Sequence, residues 1–186
     1  MKRLFDILIC FLLIVLLLIP VVIIVFAIRF TSKGPAIYWS ERVGKENIIF
    51  RMPKFRTMKL DTPPIATHLM KEPEKFISPI GGFLRRYSID EIPQIYSIIK
   101  GDMSLVGPRP ALFNQHDLIE LRIDKKLDNL LPGITGWAQI NGRDDLSIPS
   151  KVELDVEYMH KKSLYFDIKI LWLTLLSIFK NSGIKH

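Results

Sequence analysis

Hydrophobic and polar positions divide the chain sharply. Residues 7–28, ILICFLLIVLLLIPVVIIVFAI, form one uncharged run, at least as long as the roughly 20 residues that a membrane-crossing helix needs. The run has no polar stripe to turn toward water, as the surface helix of a soluble protein does. Lys2 and Arg3 precede it, as in a secretory leader, but the run is too long for that and no small-x-small cleavage site follows. Pro20 lies near its middle, where it removes one helical hydrogen bond and crowds the carbonyl four residues earlier, so the pattern predicts a kink. Basic residues flank both ends, Lys2 and Arg3 before and Arg29 and Lys33 after, and positive flanks assign both ends to the cytoplasm. A helix broken at Pro20 that dips into the bilayer and returns satisfies both features, while a plain span accommodates the proline but not two cytoplasmic ends.

Beyond residue 33 the pattern becomes that of a mainly helical soluble body with few strands. AIYWSERVG alternates in part and predicts a strand or extended arm. NIIFRMPKFRTMK mixes aliphatic, aromatic and basic residues, either an exposed basic strand or a phosphate-facing surface carrying Lys54 and Arg56. Residues 61–79 hold Pro63, Pro64, Pro73 and Pro79 without periodicity and predict a loop with one helical turn. Helical patterns follow at 92–100, ending at Gly101, at 114–131, stopping before Pro132-Gly133, and at 150–162. The last pattern, LYFDIKILWLTLLSIFK, is apolar around most of its circumference yet carries Asp167 and Lys169. It predicts a helix in the membrane interface or against the apolar run, with an ordinary core helix as the alternative.

Charge and composition narrow the chemistry. The 186 residues suit one catalytic unit, and a formal net charge of +7 favours phosphate-bearing partners. Cys10 is the single cysteine, which excludes an internal disulfide and a cysteine-based zinc site. His68, His116, His160 and His186 lack metal-ligand spacing. No nucleic-acid-binding motif is present, and the apolar N-terminus fits that role poorly.

The densest chemistry is FLRRYSIDEIPQIYSIIKGDMSLVGPRP. Pro93 sets a helix start close to Asp90, so Asp90 and Glu91 sit at a helix N-terminus. One reading is structural: Ser88 and Glu91 match the S-x-x-E capping box, and acids at a helix start are stabilised by the macrodipole. The other is catalytic. Arg85 and Arg86 lie just upstream, and Gly107-Pro108-Arg109-Pro110 is a stiff turn that holds Arg109 in a defined direction. Backbone amides and guanidinium groups together suit phosphate, and a carboxylate there can hold Mg²⁺ or attack phosphorus. A second cluster, PGITGWAQINGR, offers amides, Trp137 and Arg143 to a nucleotide or is simply a turn-rich connector. Its glycine spacing matches neither the Rossmann fingerprint nor a P-loop.

Five segments in order resemble the small monotopic phosphoglycosyl transferases, the bacterial sugar transferases: KRLFD before the apolar run, KFRTM at 54–58, SIDEIPQ at 88–94, KGDMSLVGPRP at 100–110, and PGITGWAQINGR at 132–143. The resemblance covers nearly the whole chain. It implies a re-entrant membrane helix-break-helix over residues 1–33 and, over 34–186, a small cytosolic α/β catalytic core, mainly α with a few short strands and interfacial amphipathic helices. Both termini would then be cytoplasmic, at the inner membrane. It further implies a Mg²⁺-dependent transfer of a sugar phosphate from a UDP-sugar to polyprenyl (undecaprenyl) phosphate. In that scheme Asp90 is the nucleophile that releases UMP, Glu91 assists metal binding or deprotonation, and Arg85, Arg109 and Arg143 bind phosphate or nucleotide oxygens. Lys54 and Arg56, in the KFRTM segment, would add to the substrate-binding charge. Membrane lipid is the implied surroundings and nucleic acid is not an implied partner.

Two positions depart from the family pattern. Ile19 precedes Pro20 where serine is common, so the break has one fewer side chain to satisfy freed backbone groups. Leu131 stands where arginine often precedes PGITG. Two readings rival the transferase: a non-enzymatic membrane scaffold with a basic lipid-binding surface, and a glycosyltransferase that releases UDP instead of UMP.

Overall fold

The computed structural model describes residues 1–62, 73–142 and 145–179. The apolar run forms helix α1, Lys2–Thr31, and the helix continues through Pro20. Of its most apolar 18-residue stretch only 6% is buried, and it is long and apolar enough to cross a membrane. Val15, Leu16, Leu18 and Ile19 stand exposed around the proline. Both halves of the helix nevertheless rest on the folded body. Phe5, Ile9, Cys10 and Leu13 pack into one core with Phe50, Met52, Ile98 and Ile170. Val21, Ile24, Val25 and Ile28 pack into another with Phe55 and Leu84.

Two strands, β1 (Ile37–Val43) and β2 (Ile49–Phe55), follow as an antiparallel hairpin with Ile37 opposite Phe55 and Val43 opposite Ile49. Their β-branched and aromatic content favours this, and Pro53 is tolerated because both strands of a two-stranded ribbon are edges. Ser40, Phe50 and Met52 are buried, all on the face shared by even-numbered positions. The short helices α2 (Gly81–Arg86) and α3 (Ile95–Lys100) come next, the latter closed by Gly101 at φ +103°. This is the stop that the sequence predicts, because glycine takes the left-handed conformation without steric cost.

Strand β3 (Ser104–Val106) pairs in parallel with β4 (Gly133–Thr135). Between them the predicted helix over 114–131 is shorter: α4 spans His116–Asp124, Lys126 turns left-handed at φ +59°, and a 3₁₀ turn, Leu127–Asn129, follows. The break lets Leu127 turn into a third core with Ala111, Leu118 and Val152. Helix α5 (Trp137–Ile140) is one turn long. Helix α6 (Ile148–Lys161) starts from Ser147, whose hydroxyl accepts from the Ser150 amide at 3.3 Å. Helix α7, Leu164–Phe179, buries Phe166, Asp167 and Ile170 and exposes Tyr165, Ile168, Trp172 and Leu175. It is therefore apolar on both sides, with one face in the core and a broad apolar face outside it.

The KRLFD segment fixes the start of α1 to this body through its polar side chains. Arg3 donates to the carbonyls of Ile98 and Ile99 at 2.5 and 2.8 Å, which are among the carbonyls that a helix end leaves without intrahelical partners. The carboxylate of Asp6, 2% exposed, accepts from the Ser104 hydroxyl at 2.8 Å. Lys2 pairs with Asp167 of α7 at 2.5 Å and donates to the Val106 carbonyl at 3.1 Å. Asp167 also accepts from the Tyr158 hydroxyl at 2.8 Å; burial first, and the neighbouring Asp167 carboxylate second, push that phenol's pKa upward.

Removing one member of a buried ion pair strands the other charge away from water. Lys2→Met should therefore lower unfolding stability by about 3 kcal/mol, read from thermal melts of the detergent-solubilised protein. Adding Asp167→Leu should restore most of the loss. A paired variant no more stable than Lys2→Met alone would show that the stranded Asp167 charge is not the source of the loss.

Candidate active site

Asp90 and Glu91 occupy the first turn of a 3₁₀ segment, Ile89–Gln94, that leads directly into α3. Pro93 lies inside this segment. Having no N–H, it is tolerated only near a helix start. Ser88, at the preceding position, is left-handed (φ +54°) and its side chain makes no capping bond. The capping-box reading of Ser88 and Glu91 therefore fails, and Glu91 directs its carboxylate elsewhere. Its Oε1 accepts from Lys54 Nζ at 2.8 Å and from Arg109 Nη2 at 3.0 Å. Lys54 Nζ also lies 3.8 Å from Asp90 Oδ2.

The two acids are nearly buried, Asp90 9% and Glu91 7% exposed, and the consequences are electrostatic. Burial raises the pKa of Asp90 above the usual carboxylate range; Lys54 opposes this, the Glu91 charge adds to it, and Arg85 and Arg109 oppose it further. Burial likewise lowers the pKa of the Lys54 ammonium, chiefly against the pull of Glu91. Arg85 is held by its Nε donating to Thr57 Oγ1 at 2.8 Å, so the threonine of KFRTM aims a guanidinium toward the Asp90 side.

Arg109 is placed by two glycine-rich segments in backbone contact. Gly107 N–H donates to the Thr135 carbonyl and Gly133 N–H to the Pro108 carbonyl, both at 2.9 Å. A Cβ on Gly133 would lie 2.1 Å from the Gly107 nitrogen, so any side chain there would force GPRP and PGITG apart. PGITGWAQINGR thus acts as the brace for Arg109. Its indole is occupied within the fold: Trp137 Nε1 donates to Glu157 at 2.8 Å and the ring packs on Phe166.

The predicted residues therefore separate. Asp90, Glu91, Lys54, Arg85 and Arg109 converge. Arg56 does not; it is 5% exposed, and its guanidinium donates to the Lys33 and Ser32 carbonyls and the Ser32 hydroxyl, tying the end of α1 to the hairpin. Arg143 lies outside the described residues. Arg42 is an addition. Its Nη1 donates to the Pro110 carbonyl at 3.2 Å and its Nε to Ser40 at 3.0 Å. Burial lowers its pKa to about 10, assisted by the like charge of Arg109 and opposed by Glu91. Strand periodicity carried the signal, since residues 38, 40 and 42 share a face with 50, 52 and 54 once the hairpin forms.

Four cations, Lys54, Arg42, Arg85 and Arg109, thus surround two carboxylates. The excess of positive charge suits an anionic ligand with several phosphate oxygens. Among the described residues no group of three or more His, Cys, Asp or Glu is gathered. A Mg²⁺ ion held by one or two carboxylates together with substrate phosphates needs no such cage. Asp90 and Glu91 fit that donor set.

A family model described as "Bacterial sugar transferase" matches residues 1–181. The chain is 40% identical over 164 residues to the galactosyl transferase CpsE of Streptococcus agalactiae, covering 82% of this chain and 36% of that protein. It is 37% identical over 188 residues to the uncharacterized sugar transferase EpsL of Bacillus subtilis, covering 100% of this chain and 91% of that protein. A UDP-glucose:undecaprenyl-phosphate glucose-1-phosphate transferase of Escherichia coli is 35% identical over 191 residues, covering 98% of this chain and 41% of that protein. The chain thus spans well under half of the first and third of these relatives and nearly all of the second.

Because the Asp90 pKa is raised, unfolding frees this acid to ionise more readily, and its contribution to stability declines as pH rises from the ordinary carboxylate range toward the raised value. Carbon-13 titration of labelled aspartates should place the Asp90 midpoint above the usual range. Glu91→Gln should move it down, and Lys54→Met should move it up. An Asp90 midpoint indifferent to both substitutions would break the electrostatic account of the site.

Proposed function

The chain belongs to the bacterial sugar transferase family, and on that premise we propose that it transfers a sugar-1-phosphate from a UDP-sugar to undecaprenyl phosphate with release of UMP. The observation that carries this reading is the pair Asp90 and Glu91, buried in a helical first turn and ringed by Lys54, Arg42, Arg85 and Arg109. Glu91 is engaged by two of these cations and Asp90 stands farther from Lys54, which leaves Asp90 the freer nucleophile. The E. coli relative is named for the corresponding reaction with UDP-glucose, and CpsE is named for galactose.

In the proposed mechanism an Asp90 carboxylate oxygen attacks the β-phosphorus of the donor. The bond from that phosphorus to the bridging oxygen breaks, and UMP leaves with the oxygen. The phosphosugar is then held on Asp90 as an acyl phosphate. A phosphate oxygen of the lipid acceptor attacks the same phosphorus, restores the Asp90 carboxylate and yields a polyprenyl diphosphate-sugar. Arg109, Arg85 and Arg42 bind the donor oxygens, and Lys54, fixed by Glu91, faces the charge that builds on the transferred group. Asp90 and Glu91 would hold Mg²⁺, whose charge would neutralise diphosphate oxygens.

We place this chemistry at the cytoplasmic face of the bacterial inner membrane, with α1 re-entrant at Pro20. Support comes from the contacts of α1: both of its halves touch one folded body while the residues around Pro20 are exposed. A straight span would carry one end about 30 Å away, across the hydrocarbon. The exposed face of α7, with Tyr165 and Trp172, suits the membrane interface.

The test is nucleotide release by purified protein in nanodiscs, with UDP-glucose, UDP-galactose and N-acetylated UDP-sugars, with and without undecaprenyl phosphate and Mg²⁺. UMP appearing with some donors, dependent on Mg²⁺, is the expected outcome. UDP would indicate glycosyl transfer, and release from no donor would favour a lipid-binding scaffold. Asp90→Asn should abolish turnover, since an amide neither attacks phosphorus nor holds the cation well. Arg109→Ala should reduce donor kcat/KM by roughly 10- to 100-fold, the worth of a lost charge-assisted contact of about 1.5–3 kcal/mol.

A further inference from the structure

The GPRP turn is rigid in its own residues, yet two of its carbonyls are also held by guanidinium groups from elsewhere in the chain. Pro110 accepts from Arg42 Nη1 at 3.2 Å, and Arg109 itself accepts from Arg122 Nη1 at 2.8 Å. Pro108 accepts from the Gly133 amide at 2.9 Å. Three successive carbonyls around the Arg109 side chain are therefore fixed by three separate elements.

Arg122 is the unusual member, because it does not face the carboxylates. It projects from α4 and spends its remaining donors on α6: Nε and Nη2 meet one oxygen of Asp155 at 3.1 and 2.7 Å. Asp155 is 1% exposed. Burial raises its pKa, and the charge and hydrogen bonds of Arg122 oppose that rise. A pair so far from water costs more to desolvate than it returns through mutual attraction alone, and replacement by apolar residues is often neutral or stabilising. Arg122 has a third contact that an apolar residue cannot reproduce, the carbonyl of Arg109. A lysine cannot reproduce the arrangement either, because its single ammonium lacks the planar fork that serves the carboxylate and the carbonyl at once.

We propose that Arg122 and Asp155 form a positioning pair: Asp155 fixes the Arg122 guanidinium, and Arg122 fixes the Arg109 backbone so that the Arg109 side chain is pre-aimed at the donor diphosphate. This rests on the transferase reading above. Neither residue touches substrate, and their effect on turnover passes through Arg109.

A double-mutant cycle in the nanodisc transferase assay tests this. Arg122→Lys should lower donor kcat/KM about tenfold in the native background, with melting close to that of the unaltered protein. In an Arg109→Ala background the same substitution should change kcat/KM by less than about twofold, since the side chain it positions is gone. If Arg122→Lys melts well below the unaltered protein, the paired replacement Arg122→Met with Asp155→Leu, which leaves no charge buried alone, takes its place in the same cycle. Equal losses in both backgrounds, or no loss in the native one, overturn the positioning role while leaving the transferase reading intact. An unaltered protein that turns over no UDP-sugar overturns that reading and this inference together.

Discussion

Two adjacent carboxylates in one short turn, both nearly buried, are the constraint from which the rest of the site follows. Neither burial nor like-charge proximity favours ionisation, so Asp90 and Glu91 require cations close by, and those cations must lose water in turn. The fold meets this by drawing on separated elements: the hairpin provides Lys54 and Arg42, α2 provides Arg85, and the turn after β3 provides Arg109. Each element needs its own support. Thr57 steadies Arg85 and the contact of Gly107 with Gly133 steadies the Arg109 turn. Much of the chain between residues 34 and 142 can be read as the scaffolding for this compensation.

What the sequence made legible was what local chemistry determines. The apolar run, the glycine stop at Gly101, the early strands and the start of the acidic turn at Pro93 each depend on neighbours a few residues away. Asp90 and Glu91 could be singled out because their setting, between paired arginines and a proline-flanked arginine, is visible in one stretch. The misreadings arose where tertiary contacts decide. Ser88 and Glu91 match a capping box by spacing, but Lys54 and Arg109 arrive from distant segments and claim the Glu91 carboxylate. Arg56 shares a basic segment with Lys54, yet it faces the end of α1. Arg42 becomes evident only when the hairpin register is known.

The family segments acquire separate physical meanings in the fold. KRLFD is a docking element, KFRTM joins one site cation to one structural arginine and one supporting threonine, and PGITG exists largely to allow two backbones to meet. That five motifs recur in a fixed order is therefore consistent with a single assembly in which each depends on the others. Phosphoryl transfer suits such an assembly, because its catalysis is chiefly positioning and charge neutralisation.

The way α1 is joined to the body bears on how this protein can be handled at the bench. Cys10 and Ile28 belong to two different cores, Asp6 satisfies a buried hydroxyl, and Arg3 closes the end of the very helix that continues from the acidic turn. Deleting the greasy segment to obtain a water-soluble enzyme would open both cores and leave Asp167 without its lysine. Solubility and integrity are coupled here, so a membrane mimic is a working part of any preparation that is meant to be active.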